Sequence, residues 1–270
     1  MRVMSHLYTY RGRKIHAVEF VKALRAIGVE SGDVIFVHSD IKVFGKPNLV
    51  EPNYFLSSFV GALKKSVGSQ GTVILPTFTY AFCKKGIYDR RKSLSEVGSL
   101  TEFFRSQPGV VRSLHPISSV AVWGKYAKDI LQIGKDSFGR ESVFGKMHTL
   151  NAKIILLGTT LQACTFLHYV EQMHRVPYRF MKTFHGTIVD DGHIYEDSYT
   201  HFVRPLEGGI ENDMMKIDPY LREKGFLRET RVGSGSILLV TAKDLFEVGM
   251  QVLDADSYFL LTKKPVWQKL

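Results

Sequence analysis

Four side chains able to do acid–base or nucleophilic chemistry recur at helical spacing in residues 164–175: Cys164, His168, Glu171 and Arg175. At about 100° per residue they fall on one stripe, while Leu167, Val170 and Met173 face elsewhere. An imidazole with a carboxylate one turn away makes a general base whose neighbour orients it or raises its basicity. A solvated helix face produces the same pattern, and spacing alone leaves both readings open. Cys164, one turn before His168, adds an acyl-cysteine route through an activated thiolate, set against the commoner use of a free cysteine as a small core residue. His168, Glu171 and His174 invite a metal reading. Steps of three residues, however, drift by about 120° around a helix, against about 40° for an i,i+4 pair, so no metal site is expected here.

Something must hold a substrate against that stripe. Four loops rich in small polar residues each lie beside an apolar run: His38 to Gly45, Pro76 to Tyr80, Arg112 to Ser119, and Gly158-Thr159-Thr160. In open α/β sheets ligands gather where loops leave the carboxyl ends of strands, because backbone N–H groups and helix N-termini point there. Turn and capping chemistry explains any one of these loops taken alone.

The elements that would carry them are short buried strands over 34–37, 72–75, 119–122, 153–157 and 236–240, each too short and too β-branched for a helix. Helices are predicted over 18–27, around 55–63, over 100–105, 164–175, 213–224 and 242–253, with Gly28 and Pro177 as stop signals. Segments 183–189 and 193–203 flank Asp190-Asp191-Gly192 and read as a β-hairpin. Gly233-Ser234-Gly235 lacks the third glycine of a dinucleotide fingerprint and precedes a strand. The fold class is therefore α/β, a central mixed β-sheet flanked by helices with an added β-hairpin region, and residues 1–270 form one domain.

Composition narrows the setting. The 270 residues, 44% of them hydrophobic, suffice for a sizeable core. No apolar stretch approaches the ~20 residues of a membrane span, and the first residues lack a secretory signal, so a cytoplasmic protein without a membrane partner is expected. Cys83 and Cys164 are the only cysteines, which yields neither a disulfide framework nor a four-ligand zinc pattern. A net charge of +10 favours an acidic ligand. The scattered lysines and arginines, without a basic run interleaved with aromatics, favour a phosphorylated small molecule over nucleic acid.

The loops together carry a stronger signal. VIFVHSDIKVFG (34–45), LPTFTY (75–80), HPISSVAVWGKYA (115–127), GKDSFGRESVFGKM (134–147) and NAKIILLGTTLQACTFLHYVEQ (151–172) occur in one order. In these motifs, over roughly residues 15–200, the chain resembles the aminoglycoside N3-acetyltransferase family. Asp40 stands where the family has a second serine, and Met147 replaces a common leucine. The resemblance implies an acetyl-CoA-dependent N-acetyltransferase with direct transfer, His168 as catalytic base and Glu171 as its partner. It places His38, Ser39, Lys42, Phe44, Gly45, Thr77, Phe78 and Thr79 along the pantetheine and diphosphate path, with Arg112, Ser113, His115, Ser118 and Ser119 completing the coenzyme A site. Tyr80, Arg175 and Arg179 are expected on the acceptor.

Charge then selects among acceptors. An enzyme for polycationic aminoglycosides should carry an acidic pocket, whereas this chain is basic. The expectation is an anionic acceptor, a nucleotide-linked amino sugar for surface polysaccharide, with Arg175 and Arg179 meeting its phosphate. Aminoglycoside 3-N-acetylation conferring resistance is the alternative; a nucleic-acid-binding protein and a metal-dependent hydrolase stand behind it. A homodimer is left open.

Overall fold

The computed structural model describes residues 6–49, 51–205 and 210–265. The chain opens with β1 (Tyr8–Tyr10) and β2 (Arg13–Ile15), followed by α1 (Ala17–Ala26), whose first turn is closed by the Glu19 carboxylate accepting from the His16 N–H at 2.7 Å. Next come β3 (Val34–Ser39), β4 (Lys46–Pro47), α2 (Pro52–Val67), β5 (Thr72–Pro76), β6 (Ile87–Asp89), α3 (Ser99–Arg105), β7 (Val111–Arg112) and β8 (Val120–Gly124). Two short helices, α4 (Ala127–Leu131) and α5 (Val143–Thr149), precede β9 (Lys153–Leu157) and α6 (Phe166–His174). The remainder is β10 (Phe180–Asp190), β11 (His193–Val203), α7 (Asp218–Glu223), β12 (Arg228–Val232), β13 (Gly235–Thr241) and α8 (Ala242–Ala255).

The main sheet has seven strands in the order β12-β13-β9-β3-β5-β8-β7. Its three central strands, β9, β3 and β5, run parallel, and antiparallel pairs close both sides. Both faces are covered, which is why these strands read as unbroken apolar runs rather than alternating ones. Val34, Phe36, Ile74, Ile154 and Leu156 face the layer holding α5, α6 and α8; Ile35, Val37, Val73, Leu75, Ile155 and Leu157 face α1, α2 and α3. Because side chains alternate along a strand, His38 points to the same side as Phe36, toward α6, and the two rings lie 4.7 Å apart.

The predicted hairpin is present and longer than its signal. β10 and β11 pair from Phe180↔Val203 to Asp190↔His193 around a two-residue turn, Asp191 and Gly192, both at positive φ. β10 extends the hairpin into a small sheet with β6. Two predicted helices change form. Of residues 164–175, Cys164 is extended and α6 begins only at Phe166, because a 3₁₀ turn (Leu161–Ala163) capped by the Thr160 hydroxyl precedes them and Thr165 takes the N-cap position of the helix. Residues 213–224 become a 3₁₀ turn (Met214–Ile217) followed by α7, with Pro219 at the first turn where its missing N–H costs nothing. Among the described residues no helix is long and apolar enough to cross a membrane.

Gly158 ends β9 at φ +73°, and a Cβ there would lie 2.3 Å from the Asp40 carbonyl oxygen. Only glycine lets the β9 end and the loop after β3 meet. Gly225 has nearly the same φ, +72°, with nothing within 4 Å of its would-be Cβ. Gly158→Ala should therefore lose about 1 kcal/mol or more beyond Gly225→Ala in denaturant unfolding, the excess being steric. Equal losses would show that the close approach does not matter.

Candidate active site

The carboxyl ends of the three parallel strands lie side by side and deliver Ser39 and Asp40, Thr77 to Thr79, and Gly158 to Thr160 to one edge of the sheet. Asp40 takes a turn role there, its carboxylate accepting from the Lys42 N–H at 3.0 Å. α6 starts just behind this edge. The Thr165 N–H donates to His38 Nε2 at 3.3 Å, tying the end of β3 to the first turn of α6. Burial, aided by the nearby His168, pushes His38 down to about 3, so its ring is neutral and serves as an acceptor.

His168 lies one turn further on, its side chain 27% exposed and its ring on the wall of a polar cavity of about 500 Å³ with Gln162, Thr165, Arg204, Glu211, Asn212 and Met214. Its Nδ1 lies 2.6 Å from Glu171 Oε2. Two unprotonated atoms would not approach so closely, so Nδ1 carries the proton and donates, which leaves Nε2 with a lone pair. Glu171 itself has no exposure. Its other oxygen accepts from the Tyr178 hydroxyl at 2.7 Å and Asn212 Nδ2 at 3.0 Å, and Arg179 Nε sits 2.9 Å from Oε2 as an ion pair without an aligned hydrogen bond. Burial alone would raise the carboxyl, but His168, Arg179 and Tyr178 together hold it below the usual carboxylate range. Burial, then Arg179, depresses His168 despite the opposing pull of Glu171. A neutral imidazole beside a fixed anion is a base ready to accept a proton.

A chain of depressions continues from this cavity. Ala163 and Thr165 are shared with a cleft of about 230 Å³ lined by His38, Ser39, Phe78 and Tyr80, and Ser39 leads into a third of about 540 Å³ with Asp40, Lys42 and Ser99. Ile41, Lys42 and Ser99 connect that one to an apolar pocket floored by Leu49, Phe55 and Leu56.

The structure thus brings His168, His38, Ser39, Lys42, Phe78 and Tyr80 to one groove, sets Glu171 in the interior behind His168, and sets other predicted residues apart. Phe44 is fully buried among Tyr8, Phe20 and Phe59, and a Cβ on Gly45 would stand 2.9 Å from the Thr9 carbonyl, so both serve packing against β1 rather than the groove wall. Arg112 is not available to a phosphate. It lies over the Tyr88 ring, its Nη2 donates to the Thr77 carbonyl at 2.5 Å, and Nη1 donates to the carbonyl of Ser93. Ser119 donates to the Thr77 carbonyl at 2.6 Å, Ser113 accepts from the Val120 N–H, His115 accepts from the Ser118 N–H, and Thr79 donates to the Pro116 carbonyl. These residues, with Ser118 itself buried, bind the loops to one another beneath the groove.

Arg175 and Arg179 also depart from expectation. Arg175 ends α6 in the left-handed conformation at φ +63° and is not on the cavity wall, and Arg179 is 5% exposed with its guanidinium turned to Glu171. Neither presents its charge to an acceptor. Cys164 precedes α6 and borders the cavity, but it is buried, and burial pushes its thiol up to about 12, which disfavours the thiolate an acyl-cysteine route requires. His174 pairs with Asp254 of α8 at 3.2 Å instead of converging with His168, and no metal-holding group of three ligands occurs among the described residues. Tyr178, Asn212, Arg204 and Glu211 were not legible as site residues, since Asn212 reaches Glu171 from 41 positions away.

A family model described as aminoglycoside 3-N-acetyltransferase matches residues 36–254. Aminoglycoside N(3)-acetyltransferase IV of Salmonella sp is 26% identical over 264 residues, covering 93% of this chain and 91% of that protein. Aminoglycoside N(3)-acetyltransferase III of Acinetobacter baumannii is 27% identical over 265 residues, covering 86% and 89%. Among solved structures, aminoglycoside acetyltransferase AAC(3)-IVa as apoenzyme superimposes with a TM-score of 0.74 at 23% identity, covering 96% of this chain and 93% of that one. AAC-IIIb in its binary complex with CoASH gives 0.79 at 22%, covering 93% and 99%. These relatives overturn the nucleotide-linked acceptor inferred from net charge. The physical reason is local: a charge summed over the whole surface does not fix the sign of one cavity, and the two arginines meant to bind a phosphate do not face it. The chain belongs to the aminoglycoside 3-N-acetyltransferase family and is an N-acetyltransferase.

Proposed function

We propose that the protein acetylates the 3-amino group of an aminoglycoside, working in the cytoplasm as one catalytic domain with acetyl-CoA as donor. The observation that carries this reading is the 2.6 Å His168–Glu171 pair at the junction between the polar cavity and the groove along the strand ends. The cavity takes the acceptor, and the exposed Glu211 on its wall offers an anion to an ammonium group. The groove takes the donor. His38, Ser39, Phe78 and Tyr80 flank the pantetheine arm, Lys42 stands where a diphosphate would pass, and the apolar pocket of Leu49, Phe55 and Leu56 suits a base.

The donor supplies the acetyl group as a thioester. His168 Nε2 takes a proton from the acceptor amine as nitrogen bonds to the acyl carbon, and passes it to the sulfur as the carbon–sulfur bond breaks. Glu171 stays ionised throughout and holds the ring in the Nδ1–H form. A buried, protonated Cys164 leaves direct transfer as the route.

Incubation with acetyl-CoA and gentamicin or sisomicin should yield a product whose acetyl group lies on the 3-amino nitrogen by NMR, with turnover down about 100-fold or more in His168→Ala. Thioester hydrolysis without acceptor acetylation, or near-normal turnover in that variant, would contradict the proposal.

The pH profile follows from the environment of His168. The base works unprotonated and its pKa is depressed from 6.5, so the rate should hold at neutral pH and be lost as pH falls through that lowered value. The acid limb of kcat/KM should lie below pH 6.5; a limb above it would show that another group sets the protonation state.

A further inference from the structure

Arg179 was expected to meet an acceptor, and it sits inside the catalytic cluster instead. Arg175 reverses the chain at the end of α6 and the Val176 N–H donates to the Glu171 carbonyl at 3.1 Å, so Tyr178 and Arg179 fold back over the Glu171 carboxylate, one toward each oxygen. The guanidinium then reaches four groups. Nε faces Glu171 Oε2 at 2.9 Å, Nη2 donates to Asn212 Oδ1 at 2.9 Å and lies 3.2 Å from His168 Nδ1, and Nη1 donates to the Phe202 carbonyl at 3.2 Å.

We propose that Arg179 is a positioning residue for acetyl transfer: its planar fork locks Glu171, Asn212 and the His168 ring into one arrangement and so decides which imidazole nitrogen meets the acceptor. A guanidinium carries only donors, so Arg179 cannot accept the Nδ1 hydrogen, which Glu171 Oε2 accepts instead. The nearby cation opposes a second proton on the ring until the acceptor brings one. Anchoring to Phe202 and Asn212 holds the guanidinium against Glu171 Oε2 and the His168 ring at once, a spread of contacts that a single ammonium does not reproduce. The other titratable groups facing His168 are Glu171 on its own helix, Arg204 after β11, His201 on β11, His38 on β3 and Glu211 across the cavity.

The role deepens the acetyl-transfer reading and is tested without it. Protein labelled with ¹⁵N-histidine is titrated by NMR in the absence of both substrates, the His168 signals being assigned by their loss in His168→Gln. Wild type should show a single Nδ1–H tautomer. Arg179→Met should raise the titration midpoint by about one pH unit and mix the tautomers. Arg179→Lys, which keeps the charge and loses the fork, should stay near the wild-type midpoint but mix the tautomers. A wild-type midpoint and tautomer in Arg179→Met would overturn the proposal. Should that variant not fold, an unmixed Nδ1–H tautomer in Arg179→Lys overturns it equally. A raised acceptor KM with unchanged tautomer would assign Arg179 to acceptor binding and also overturn it. Failure of the aminoglycoside assay leaves these spectra unaffected, so the two claims fail separately.

Discussion

A carboxylate with no solvent exposure is the constraint around which this molecule is arranged. An isolated buried charge costs several kcal/mol, and Glu171 avoids that cost only because both of its oxygens are occupied. His168 and Arg179 serve one oxygen, Tyr178 and Asn212 the other. These partners come from the same helix, from the reversal after it and from the segment before α7. Satisfying Glu171 therefore fixes the relative placement of three parts of the chain, and the His168 ring is oriented as part of the same network.

The sheet supplies the other half of the geometry. Alternation along β3 turns His38 toward α6, where it accepts from the first turn of the helix, and the glycine at the end of β9 lets the strand ends crowd together. A groove along parallel strand ends thereby meets a helix whose first turn carries His168. The Arg112, Thr77 and Ser119 contacts beneath it stiffen the loops that form the groove floor. Polar residues near a site are thus of two kinds, those that face a ligand and those that hold the loops in shape.

Much of this was legible in the sequence, in proportion to how local the signal was. The strand over residues 153–157 and the hairpin around Asp191-Gly192 appear where periodicity and turn chemistry put them. The short strands β1, β4 and β7 are two or three residues long and too short to show a period. The His168–Glu171 spacing is intrahelical and could be read from the residues. Tyr178 and Arg179 required knowing that the chain reverses at Arg175, and Asn212 required tertiary structure outright. Motifs assigned Arg112 and Phe44 to loops but could not give the direction of their side chains, which the fold turns inward.

Net charge misled for a related reason. A value of +10 describes the whole surface, whereas acceptor choice depends on the few groups lining one cavity, where Glu211 and Arg204 stand together. Acetyl transfer by this site requires the acceptor nitrogen to reach His168 Nε2. A crystal structure with coenzyme A and an aminoglycoside bound measures this directly. The 3-amino nitrogen should lie within about 3 Å of His168 Nε2, with the coenzyme sulfur beside it at the groove junction. An amine held away from that nitrogen, or a sulfur outside the groove of His38 and Tyr80, would contradict the account.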